Sequence, residues 1–106
     1  MEEQVINVSP HLDLHPDYRG GRPRIKGTRI TVDDVARMYL RRGQSLEEIA
    51  GEYDLPLAAL YAAMAYYYDH QEEIERLMAA EEAFAEEWKR EHPSLLHERL
   101  TDHPYG

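Results

Sequence analysis

Apolar positions along the 106-residue chain follow two different rhythms. Residues 1–30 hold only short apolar pieces: Val5-Ile6-Asn7-Val8, Leu12-Asp13-Leu14, Arg24-Ile25-Lys26 and Arg29-Ile30. Pro10, Pro16, Pro23, Gly20, Gly21 and Gly27 punctuate them, which forbids long helices. Each piece is too short for a free-standing sheet, so the pattern predicts small hairpins or an arm packed on a neighbour. From Thr31 the apolar period changes to about 3.6 residues, and Val32, Val35, Ala36, Tyr39 and Leu40 mark one helical face. Thr31 and Asp34 have the spacing of a capping box, with Asp in place of the usual Glu. Gly43 stops this helix, and Arg41 and Arg42 suit its C-terminal dipole. Ser45 and Glu48 cap a second helix whose predicted buried face is Leu46, Ile49, Ala50 and Tyr53. Asp54-Leu55-Pro56 then breaks the chain, and Pro56 suits the first turn of a third helix.

That third run extends from Leu57 to about Glu91. Leu57, Leu60, Met64, Tyr67, Gln71, Ile74, Met78, Glu81, Ala85 and Trp88 alternate spacings of three and four, a heptad-like seam. Unbroken, such a helix spans roughly 50 Å, too long for a small globule to cover. Asp69 followed by Glu72 offers an internal cap, so a break near Asp69–His70 stands beside a continuous helix as an open alternative. Pro93 and Pro104 interrupt the tail, where residues 94–100 have room for one further short helix. The expected fold is mainly α: a tri-helical helix-turn-helix core with a short N-terminal β arm and a long C-terminal helix. Its parts are the arm (1–30), the core (31–78) and an acidic helix and tail (79–106).

Composition narrows the function. The length excludes large enzyme folds such as the (β/α)₈ barrel, which needs about 250 residues. No cysteine is present, which removes disulfides, zinc ribbons and thiol nucleophiles and makes a reducing cytoplasm the expected location. No apolar run approaches the ~20 residues of a membrane span, and the acidic start does not resemble a signal peptide. The formal net charge is −9, which by itself argues against nucleic-acid binding. The distribution changes that picture. Residues 1–18 carry −4, residues 19–42 carry eight cations against two carboxylates, and residues 43–106 carry −11.

The basic segment offers Arg19, Arg22, Arg24, Lys26 and Arg29 on a Gly-rich arm suited to a phosphate backbone. The bland alternative is that these cations pair with the protein's own carboxylates, since Arg accepts carboxylate as readily as phosphate. Base readout by the third helix is not expected. From Leu57 to Tyr68 it reads Leu-Ala-Ala-Leu-Tyr-Ala-Ala-Met-Ala-Tyr-Tyr-Tyr, without one basic or amide side chain. Such a surface suits core or a protein interface. The candidate dimer interface is therefore Ile25 and Ile30 of the arm with Tyr61, Tyr66 and Tyr68 of the helix.

The run Gly20-Gly21-Arg22-Pro23-Arg24-Ile25-Lys26-Gly27-Thr28-Arg29-Ile30-Thr31-Val32 closely resembles the signature of the domain of unknown function 433 family. The similarity continues through Gly43, Ser45, Glu48-Ile49, Tyr53, Leu57, Ala62-Ala63, Tyr66-Tyr67, His70 and Glu73-Ile74. The resemblance implies a winged-like or tri-helical helix-turn-helix fold, a tendency to dimerise, and an antitoxin role beside a PIN-like nuclease toxin. One departure is Gln71, where family members often have Pro, and it favours a more continuous helix.

A toxin-binding segment is expected in the acidic stretch beyond the resemblance. There Glu81 and Glu87 stand ready to imitate RNA phosphates, with Phe84 and Trp88 as anchors in a basic groove. The alternative is a solvated helix with a narrow apolar stripe.

Catalysis is not expected. Ser45 is explained as a cap, and neither Ser9 nor Ser94 stands in a nucleophile context. His11 and His15 have metal-compatible spacing only on a helix, which Pro10 and Pro16 oppose. No cofactor, metal or small-molecule substrate is anticipated. The expected function is an antitoxin-like protein that neutralises a PIN-like nuclease and contacts operator DNA as a homodimer. The alternatives are a DNA-binding transcriptional regulator without a toxin, or an oligomerisation module.

Overall fold

In the computed structural model, which describes residues 5–17 and 19–93, local chemistry along the chain accounts for most element boundaries. The further helix expected over 94–100 lies outside the described residues. Three short strands, β1 (Ile6–Asn7), β2 (Leu12–Leu14) and β3 (Arg24–Ile25), form an antiparallel sheet in the order β1-β2-β3. Ile6 faces Leu14, and Leu12 faces Ile25 across the sheet. Leu12 and Ile25 are buried, while Val5, Ile6 and Val8 remain exposed on the edge.

Arg29-Ile30 is not a strand, contrary to its apolar alternation. Residues 25–30 form a closed turn instead. The Ile25 N–H donates to the Ile30 carbonyl at 2.9 Å. The Thr28 hydroxyl donates to the Ile25 carbonyl at 2.8 Å and accepts from the Ile30 N–H at 3.0 Å. Gly27 closes the turn at φ 77°, a left-handed conformation that a side chain disfavours.

Helix α1 (Val32–Ala36) starts at Thr31. The Thr31 hydroxyl accepts from the Asp34 N–H at 3.2 Å, and the Asp34 carboxylate accepts from the Thr31 N–H at 3.1 Å. This is the capping box that the sequence predicts. The helix then widens into a π turn over Arg37–Arg41, in which the Arg42 N–H donates to the Arg37 carbonyl at 3.1 Å. Its buried apolar residues are Val32, Val35, Ala36 and Met38, whereas Tyr39 and Leu40 are exposed. Periodicity records which side of a helix is apolar, not how far along it the core reaches.

Helix α2 (Leu46–Tyr53) has the second capping box, with the Ser45 N–H donating to Glu48 at 2.7 Å. Leu46 and Ile49 are buried, but Tyr53 is exposed. Asp54 turns the chain in the left-handed region, and Pro56 leads into α3 (Leu57–Asp69). Ala59, Leu60, Ala63, Met64 and Tyr67 of α3 form the centre of the core against α1, α2, β2 and β3. The tri-helical unit and its β arm are therefore present.

His70 interrupts the long helical run with φ −128° and ψ 36°. Two compact units follow from the contacts, the first ending at Gln71. The second, from Glu72, holds all but the first residue of α4 (Gln71–Glu91), a helix with eight glutamates against three cations. Ile74 and Met78 of α4 are buried, and Phe84 and Trp88 are exposed. Among the described residues no helix is long and apolar enough to cross a membrane.

Candidate functional site

The Gly-rich basic run is built largely as framework. Asp33, in the first turn of α1, is only 3% exposed. A buried carboxylate loses its hydration and has to be compensated by donors. Two guanidinium groups supply them at the same oxygen: Arg37 donates at 3.0 Å from one turn along the helix, and Arg22 at 3.4 Å from the arm. Across the sheet, Arg24 on β3 donates through Nε to the buried Asp13 of β2 at 3.1 Å. Arg22 and Arg24 thus hold the arm onto the helical core. The Val32 N–H reinforces this junction by donating to the Pro23 carbonyl at 3.0 Å.

The other expected phosphate ligands are placed differently. Lys26 and Arg29 are exposed on the turn, and the Arg19 side chain lies outside the described residues. The basic segment is therefore divided between inward pairs and an outer surface.

The outer surface includes a cleft of about 340 Å³. Arg29, Arg37 and Arg42 line it together with Asp34. Ile30, Met38 and Tyr53 supply its apolar wall. Sequence reasoning missed this cleft, because its residues come from the turn, α1, the π turn and the end of α2. The available signal is Arg37 and Arg42, which the sequence places in the basic segment, with Arg42 also suited to the helix C-terminal dipole.

Two apolar surfaces complete the set. On α3, Leu57, Tyr61, Ala65 and Tyr68 are exposed on the side opposite the core, with Tyr61 and Tyr68 each at 55%. Tyr66 is half-buried and stacks on His70 with ring centroids 4.0 Å apart. Ile30 is half-buried beside the cleft. Ile25, expected at a dimer interface, is 3% exposed and belongs to the core of its own chain, because β3 turns it towards α3. On α4, Glu81, Phe84 and Trp88 share a face by helical spacing, with Phe84 at 72% and Trp88 at 38% exposure. Glu87, adjacent on the helix, is exposed. Trp88 stacks on His92 at 4.2 Å, which fixes the indole at the helix end.

A family model matches residues 13–67, from β2 to near the end of α3, and is described as a protein of unknown function (DUF433). The chain belongs to the DUF433 family. The DUF433 match contains the framework pairs, the cleft and most of α3, and α4 lies beyond it. No curated protein and no solved structure matches the chain.

Proposed function

We propose that the protein is an antitoxin-like binding protein that neutralises a PIN-like nuclease toxin through α4. The exposed pair Phe84 and Trp88, set among glutamates on one helix, carries this reading. A ribonuclease groove is basic because it holds phosphates, and an acidic helix offers matching charge. Aromatic side chains then act as anchors in pockets from which water is excluded. Glu81 and Glu87 stand beside that pair on the helix and are the carboxylates assigned to the groove.

Homodimerisation through the outward face of α3 belongs to the same proposal. A helix that is apolar all round is normally covered on every side. Here Tyr61 and Tyr68 on the uncovered side favour a second copy, since tyrosine is enriched at interfaces. Operator contact runs through Lys26 and Arg29 and is limited to the phosphate backbone, because α3 presents no basic or amide side chain for base edges.

The neighbouring open reading frame provides the first check, and a PIN-like nuclease is expected there. RNA cleavage by that nuclease is then followed with added wild-type chain or with the Phe84→Ala/Trp88→Ala variant. The wild type is expected to suppress cleavage and the variant to fail while remaining folded by circular dichroism. Equal suppression by both contradicts the assignment of α4.

A further inference from the structure

Of the cleft beside the π turn, only Arg29 enters the proposal above, and the chemistry of the whole lining is specific. In an α-helix, residues five apart point about 140° away from each other, at 3.6 residues per turn. The π turn closes on the fifth residue instead, through the hydrogen bond from Arg42 to Arg37. It thereby brings Arg37 and Arg42 to one side, and both line the cleft. Single π turns are frequent at functional sites. Arg29 reaches the same cleft from the turn before α1.

The charge count narrows the ligand. The lining carries three guanidinium groups and one carboxylate, a net +2. The carboxylate, Asp34, is directed to its own helix cap and lies 3.8 Å from Arg37. A phosphomonoester carries about −1.5 to −2 near pH 7 and presents three acceptor oxygens, which matches this lining better than a carboxylate. Guanidinium forks favour phosphate geometry. The exposed ring of Tyr53 offers a platform for a flat heterocycle, with Ile30 and Met38 beside it. The volume of about 340 Å³ stands at the small end of ligand pockets, ~300–1,000 Å³, which suits one nucleotide rather than a duplex.

We propose that this cleft binds a phosphomonoester carried on a flat ring, either a nucleoside monophosphate or the phosphorylated end of a nucleic-acid strand. The guanidinium groups of Arg29 and Arg42 hold the phosphate, Arg37 is kept in place by Asp33 and Asp34, and Tyr53 stacks on the ring.

Titration calorimetry of the full chain tests this with adenosine 5′-monophosphate, inorganic phosphate and adenosine. The monophosphate is expected to bind more tightly than phosphate, and adenosine not at all. Arg29→Ala and Arg42→Ala should each weaken the monophosphate and phosphate by roughly tenfold or more. Tyr53→Ala should weaken the monophosphate and leave phosphate unchanged. Arg76→Ala, on exposed α4 surface, should change neither. A second arm compares a short RNA with a 5′-phosphate and the same RNA with a 5′-hydroxyl. Preference for the phosphorylated strand over the monophosphate assigns the site to strand ends, and the reverse preference assigns it to free nucleotides. Absence of binding to all phosphate esters overturns the proposal. So does binding unaffected by Arg42→Ala in a variant that keeps its helical spectrum, or equal binding of the phosphorylated and hydroxyl strands where the strands bind more tightly than the monophosphate.

Discussion

Residues 19–42 and α4 carry dense charge of opposite sign and place it in opposite ways. In the basic segment, Arg22, Arg24 and Arg37 reach carboxylates that are buried, Asp33 and Asp13. In α4, the pairs Arg76–Glu72 and Lys89–Glu86 sit at 3.9 Å with both side chains open to water. Ion pairs of the second kind contribute little, because water screens the attraction and ordering two long side chains costs entropy. The first kind is asymmetric: removing one partner strands the other in a site that no longer solvates it. A run of cations in a sequence is therefore not yet a surface. Whether it is one depends on carboxylates that lie far along the chain.

Substitutions sharpen this contrast, and the largest effect belongs to Asp33. Asp33→Asn leaves Arg22 and Arg37 without their shared acceptor charge. Both guanidinium groups are partly open to water, so the loss is expected near ~2–3 kcal/mol, below the full figure for a buried pair. Urea unfolding measures it, and an unchanged midpoint contradicts the framework reading of the arm. Arg24→Ala, which strands Asp13, should cost about 1.5–2 kcal/mol in the same assay.

On the apolar surfaces the effect moves from stability to association. For the homodimer proposed through α3, Tyr61→Ser/Tyr68→Ser should shift the chain towards monomer in sedimentation experiments. Persistence of the dimer would place the interface elsewhere. Phe84→Ala/Trp88→Ala should change stability by less than about 0.5 kcal/mol, since exposed side chains give up little on truncation. Glu72→Gln should be smaller still, near zero.

Much of the fold was legible where the signal is local. Thr31 with Asp34 and Ser45 with Glu48 are spaced as capping boxes and behave as such. The inward face of α3 follows from its period through Leu60, Met64 and Tyr67. The sequence does not decide the break at His70, because a cap pattern at Asp69–Glu72 and a Gln at position 71 pull in opposite directions.

The features that the sequence does not display have a common cause. Arg22 and Arg24 each pair with a residue eleven positions away, a separation no periodicity encodes. Ile25 alternates as a surface strand residue does, yet the sheet lays it on α3. Arg29-Ile30 reads as a strand because the hydroxyl of Thr28, which closes the turn, has no signature in hydropathy. The cleft gathers residues from the turn, α1, the π turn and α2 and depends on that π turn, which sequence period does not announce.

Arg24 and Lys26 give the sharpest test, since they stand two residues apart with the same charge. Arg24 is held by Asp13, and Lys26 is exposed on the turn. Their alanine variants are compared by urea unfolding of the full chain. The division of the basic segment into framework and surface predicts a loss of about 1.5–2 kcal/mol for Arg24→Ala and less than about 0.5 kcal/mol for Lys26→Ala. Equal losses, or a larger loss at Lys26, would contradict it.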